Sequence, residues 1–185
     1  MKLGPRAKLV LLMSLFLVPI VASLIAYRYV EPARTTNYGE LLAQAPLGGH
    51  PFQALDGSPF ELASLAGRWV IVVSDSGRCP PACLEKLRTV RQVRLALGRN
   101  AVRVARVFVV DDLARPSPAL LAEIEGSFVA LTPPGLQVPP GAANDRAHIY
   151  LADPRGQVMM RWPAQPEGKR MLRDLERLLK ASQIG

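Results

Sequence analysis

Two mainly apolar runs, 69–74 and 102–110, bracket one stretch of helical periodicity, and this arrangement leaves few folds open. The runs lack the strict polar alternation of a half-solvated strand. They predict strands buried on both faces, the condition of parallel sheets. Between them Leu84, Leu87, Val90, Val93 and Leu97 recur every three or four residues. That spacing makes one apolar stripe, with Arg88, Arg91 and Arg94 turned toward water and Gly98 as the stop. A strand, a helix and a strand joined in this way form a parallel βαβ unit.

The flanking segments extend the pattern. Runs 52–55 and 59–62 flank Asp56-Gly57, a strong hairpin signal. A short helix is expected over 118–125, with Ser117 as its cap, and a strand over 128–131. Residues 132–144 are rich in Pro and Gly and read as a long loop. Runs 147–152 and 157–162 flank Asp153-Pro154-Arg155-Gly156, a second hairpin. The last helix, 168–182, turns Met171, Leu172, Leu175, Leu178 and Leu179 inward and Lys169, Arg173, Arg177 and Lys180 outward. A βαβ unit followed by an antiparallel hairpin and a closing helix is the thioredoxin-like plan, an α/β fold.

The N-terminus asks for a different solvent. Lys2, Arg6 and Lys8 precede an uncharged run of 19 residues, 9–27. At about 1.5 Å per residue it spans about 28 Å, close to the hydrocarbon thickness of a bilayer. Only Arg28 follows closely, so the charge bias puts the N-terminus in the cytoplasm. The run exceeds a signal peptide's apolar region, and its flank Tyr27-Arg28-Tyr29 is bulky for cleavage. We therefore expect a cytoplasmic tip and transmembrane anchor over 1–30, a linker over 31–48 and a thioredoxin-like domain over 49–185. The domain would face the periplasm from a cell inner membrane, in an oxidising compartment. The net charge of +8 comes without any nucleic-acid motif, so it reads as a solvated basic surface and no nucleic-acid partner is expected.

Cys79 and Cys83 are the only cysteines, set where the first strand passes into the long helix. The helix N-terminus and Arg78 both favour a Cys79 thiolate, and Pro80 suits the first helical position. Cys83 lies one turn further along the same face. Three uses fit such a pair: a structural disulfide, thiol–disulfide exchange, or soft-metal binding, for which two thiolates on one turn suit Cu(I). A disulfide across so short a loop adds little by chain entropy.

Taken together these stretches resemble the Sco/SenC family. The likeness is carried by the strand leading into Cys79-Pro80-Pro81-Ala82-Cys83, by the segment 108–118 around Asp111-Asp112, and by Ile149-Tyr150-Leu151-Ala152-Asp153-Pro154-Arg155-Gly156. The resemblance implies a membrane-anchored thioredoxin-like protein that assists cytochrome c oxidase assembly, by delivering copper as Cu(I) or by reducing thiols. It implies partners in an oxidase subunit or other copper acceptor and in a thiol reductase, and a metallochaperone or assembly factor more than an enzyme. A thiol–disulfide oxidoreductase and a non-catalytic assembly factor are the other readings.

The family's third copper ligand is a histidine five residues before the aromatic of the late strand. Asp145 stands there, and the nearest histidine is His148. The implied site is thus the redox pair Cys79 and Cys83, with His148 completing the metal set. His50, the other histidine, precedes the first hairpin. No proline immediately precedes 147–151, where a thioredoxin-type reductase carries its cis-proline.

Overall fold

The computed structural model describes residues 4–29, 37–47, 49, 51–133 and 146–182. The chain divides into two compact units, Met1–Thr36 and Asn37–Gly185. In the first, α1 (Pro5–Tyr29) runs unbroken with Pro19 inside it. Its segment Lys8–Arg28 is long and apolar enough to cross a membrane, by length and composition. Ser14 donates its hydroxyl to the Leu11 carbonyl, which hides that polar group along the helix.

The second unit is built on β4 (Trp69–Asp75) and β5 (Val104–Val110). They pair in parallel from Trp69↔Val104 to Asp75↔Val110, and every residue of both is buried. α2 (Pro81–Ala96) makes the crossover. β6 (Phe128–Leu131) lies parallel to β5, following the short α3 (Pro118–Glu123), which Ser117 caps by accepting from Leu120 N–H. β7 (His148–Ala152) returns antiparallel to β4, and β8 (Gln157–Pro163) pairs with β7. Asp153 holds their turn by accepting from the Arg155 and Gln157 N–H groups. α4 (Gly168–Ala181) closes the unit. With β1 (Glu40–Pro46), β2 (Phe52–Gln53) and β3 (Pro59–Phe60), the sheet order is β1-β8-β7-β4-β5-β6-β2-β3.

The sheet separates two cores. On one face Leu87, Val90, Val93, Met171, Leu175 and Leu179 of α2 and α4 pack on Ile71, Val73, Phe108, Ile149 and Leu151. Each such side chain contributes about 1.5–3 kcal/mol when fully buried. On the other face Leu47, Phe52, Leu62 and Leu65 cover Val70, Val72, Val107, Val109 and Tyr150. The register between β7 and β8 shifts near Ala152, so Met160 and Trp162 join the first core and Val158 the second.

Several boundaries differ from expectation. Residues 40–46, assigned to the linker, form β1 along β8. Asp174 accounts for this: its carboxylate accepts from Tyr38 N–H (3.1 Å), Gly39 N–H (2.8 Å) and Trp162 Nε1–H (3.0 Å). A Cβ at Gly39 would lie 2.6 Å from Met160 Sδ and 2.7 Å from Trp162 Nε1, so glycine is what permits the approach. β5 starts at Val104 because Gly98–Arg103 forms a 3-10 turn. The opening hairpin is only two residues long on each side, since Leu62–Leu65 is drawn into a 3-10 turn that buries Leu62 and Leu65. Most of the expected loop (134–145), with Asp145, and also His50, lies outside the described residues.

Candidate functional site

The cysteines sit where the C-terminal end of β4 turns into α2. Cys79 N–H donates to the Ser76 carbonyl at 2.9 Å, and Arg78 N–H donates to Ser76 Oγ at 3.1 Å. Cys79 has φ +42°, the left-handed region that a residue with a Cβ enters only under constraint. Pro80 caps the helix, which begins at Pro81, one residue later than expected. Cys79 and Cys83 are joined as a disulfide with their Cα atoms 5.1 Å apart. The bond is asymmetric in exposure: Cys83 is 0% exposed and packs in the helical core, whereas Cys79 is only partly buried.

The ends of the strands beside this turn carry a charge network that sequence reasoning missed. Lys86, one turn beyond Cys83, donates from Nζ to Asp75 Oδ2 at 2.7 Å, and their side chains are 2% and 6% exposed. The second Asp75 oxygen accepts from Ser76 N–H at 2.9 Å. Lys86 also donates to the Arg146 carbonyl. The Arg146 guanidinium grips Asp111 through Nε and Nη2 and lies 3.8 Å from both Asp75 and Asp112. Asp112 Oδ1 accepts from Gly77 N–H and Ala114 N–H, each at 3.1 Å. The ends of β4 and β5, the first two turns of α2 and Arg146, two residues before β7, are thus fastened together around the turn that carries the cysteines. A signal was available: Lys86 occupies a position on the apolar stripe of α2, one residue before Leu87.

Asp112 gives this network a pH dependence. Its burial would raise the carboxyl, but hydrogen bonds from Ser76, Gly77 and Ala114 and the charge of Arg146 outweigh that and hold it below 3.8. A carboxyl whose folded pKa is depressed stabilises above its unfolded pKa and stops doing so as pH falls through its folded pKa. Amide exchange at Gly77 and Ala114, corrected for intrinsic rates, is therefore expected to be flat above about pH 4 and to quicken below it. Equal protection of both amides on the two sides of that pH would refute the assignment.

His148 opens β7 (His148–Ala152) and is half-buried. It alternates with Tyr150 and Ala152, which belong to the core on the far face, while Ile149 and Leu151 share the core of Cys83. Its ring centroid lies 6.2 Å from that of Tyr150. Glu40 of β1, at the sheet edge, has its carboxyl held low first by the Arg161 hydrogen bond. Among the described residues no group of three or more His, Cys, Asp or Glu could hold a metal ion. Among the described residues the two sulfurs are the soft donors at this turn.

Comparison with known proteins places this arrangement. No curated protein matches the chain. Yeast Sco1 with copper bound shares the fold at TM-score 0.60 and 21% identity, over 76% of this chain and 96% of that one. Arabidopsis thaliana ScoI with copper bound matches at TM-score 0.61 and 16% identity, over 74% of this chain and 99% of that one. BsSco, a Sco-family cytochrome c oxidase assembly protein with a disulfide switch, matches at TM-score 0.51 and 15% identity, over 76% and 99%. The family model described as transmembrane-like, thioredoxin-like, C-terminal domain matches residues 69–182, which run from the first residue of β4 to just past the end of α4. The chain belongs to that thioredoxin-like family, and its fold is the one the Sco proteins share.

Proposed function

We propose that this is a membrane-tethered thiol–disulfide exchange protein of the Sco kind, facing the periplasm from the inner membrane. It would act through Cys79 and Cys83 on the cysteines of a copper site in cytochrome c oxidase. The observation that carries this reading is the unequal exposure of the two sulfurs in one disulfide. An incoming thiolate needs access to one sulfur and a stable leaving group in the other. In the reduced protein the Cys79 thiolate attacks an acceptor disulfide, and one acceptor thiolate leaves and takes up a proton. The Cys83 thiolate then attacks Cys79 Sγ, which releases the second acceptor thiolate. Two electrons pass to the acceptor and the Cys79–Cys83 disulfide is formed. A thiol reductase restores the dithiol. The charge network keeps the turn fixed through this cycle.

A second reading has copper as the cargo. The copper held by the yeast and Arabidopsis Sco proteins favours it, and two thiolates one helical turn apart suit Cu(I). Cys79 and Cys83 are the two donors on which this reading rests.

The test uses the full chain in detergent. Cys83→Ser is expected to accumulate a mixed disulfide through Cys79, and Cys79→Ser to lower exchange with a disulfide probe by at least about a thousandfold, the scale of losing an essential nucleophile. Equal trapping by both variants would sink the exchange reading. Cu(I) titration of the reduced chain decides the second: one equivalent held by the wild type, lost in the double Cys→Ser variant and kept in His148→Ala, supports a two-sulfur cargo site. No uptake removes it.

A further inference from the structure

We propose that the outer face of α4 is a docking surface for anionic phospholipid headgroups. The inference rests on reading α1 as a membrane anchor. Lys169, Arg173, Arg177 and Lys180 form one exposed stripe, and Arg170 flanks it. The carboxylates near it are few. Asp174 points inward and is occupied by Tyr38, Gly39 and Trp162. Glu167, just ahead of the helix, pairs with Arg170 at 3.3 Å. Glu176 is the one exposed acid within the helix. Five bases against two exposed acids, Glu167 and Glu176, leave the face positive, and its attraction to an anionic surface reaches about a Debye length, ~10 Å at 0.1 M salt.

The attachment of the chain selects lipid over other acidic partners. The segment that follows the anchor is fastened to α4 itself. The Arg170 guanidinium lies 4.2 Å from the Tyr38 ring centroid, and Tyr38 Oη accepts from Glu167 N–H at 3.1 Å. Asp174 takes the Tyr38 and Gly39 amides. Only residues 30–37 separate this anchoring point at Tyr38 from the end of α1 at Tyr29. An extended chain covers at most about 3.6 Å per residue, so a tether of this length gives the basic helix a high local concentration of headgroups. A soluble acidic protein would gain nothing from that placement. The consequence reaches the disulfide. Gly168 abuts Val93 and Thr89 of α2, the helix whose first turn carries Cys83, so docking of α4 would set the direction in which Cys79 is presented.

The experiment compares the full chain in nanodiscs of phosphatidylcholine alone with nanodiscs that also contain phosphatidylglycerol. The readout is the acetylation rate of Lys169 and Lys180 by mass spectrometry. We expect both lysines to react at least about threefold more slowly with phosphatidylglycerol present, and the difference to vanish near 1 M salt, where the Debye length is about 3 Å. The variant Arg173→Glu/Arg177→Glu should remove the protection while leaving exchange with a small soluble disulfide intact. Equal rates in the two discs overturn the proposal and leave an acidic protein as the occupant. Failure of the chain to enter phosphatidylcholine discs is a separate result that refutes the anchor. Docking is then decided by whether phosphatidylglycerol vesicles still protect the two lysines.

Discussion

Lys86→Met is expected to lower the stability of the thioredoxin-like domain by about 3–5 kcal/mol, the cost of leaving a buried charge without its partner. Met nearly preserves the volume and unbranched shape of the lysine stem, so little of the loss comes from packing. What is lost is the 2.7 Å bond to Asp75, whose side chain is only 6% exposed. The change also withdraws the donor from the Arg146 carbonyl, at the residue whose guanidinium ties Asp111 to the site. Urea titration of the full chain in detergent, followed by tryptophan fluorescence, measures the effect. The double variant Asp75→Asn/Lys86→Met should lose less than the sum of the single changes, because Asn removes the orphaned charge and can still accept from Ser76 N–H. A loss below about 1 kcal/mol for Lys86→Met would mean that the pair is solvated and that the network does not hold the turn.

This pair marks the boundary of what local sequence patterns reveal. β4, α2, β5, β7, β8 and α4 were legible because each is long enough to repeat its own period against a buried face. The cysteine turn was legible because a strand-to-helix junction confines two sulfurs four positions apart. β1 was not. Its burial shows no two-residue period at a sheet edge, and it is recruited by Asp174, more than 120 positions further along the chain. The face of His148 followed from strand parity alone, yet a ligand role required the opposite parity. Lys86 was hidden for a related reason: a lysine on an apolar stripe makes sense only once Asp75 and Arg146 are seen around it. Long-range polar pairings leave no periodic trace in the sequence, and in this site they join the ends of β4 and β5 to α2.

Gly77→Ala is expected to be the most disruptive small substitution at the disulfide, costing roughly 3 kcal/mol when overpacking and lost hydrogen bonds are combined. The new Cβ would lie 1.8 Å from the Ala114 carbonyl oxygen, 2.6 Å from its carbon and 3.2 Å from Val110 Cγ1. Two of those atoms are backbone, so no side chain can swing aside. Either the 76–79 turn or the 111–117 connection must retreat. In both cases Asp112 loses its bond to Gly77 N–H or to Ala114 N–H, and the turn that places Cys79 is released from the end of β5. Reaction of the disulfide with glutathione should then become markedly slower or lose its preference for Cys79. Gly156→Ala is the control. Gly156 has φ +78° but open space around its Cβ position, so alanine there should cost only about 1–2 kcal/mol of left-handed strain and leave the exchange rate unchanged. The two substitutions separate conformational strain from loss of close packing. If Gly77→Ala costs no more than Gly156→Ala and exchanges normally, the contact between the cysteine turn and the end of β5 is not what presents Cys79 to its partner.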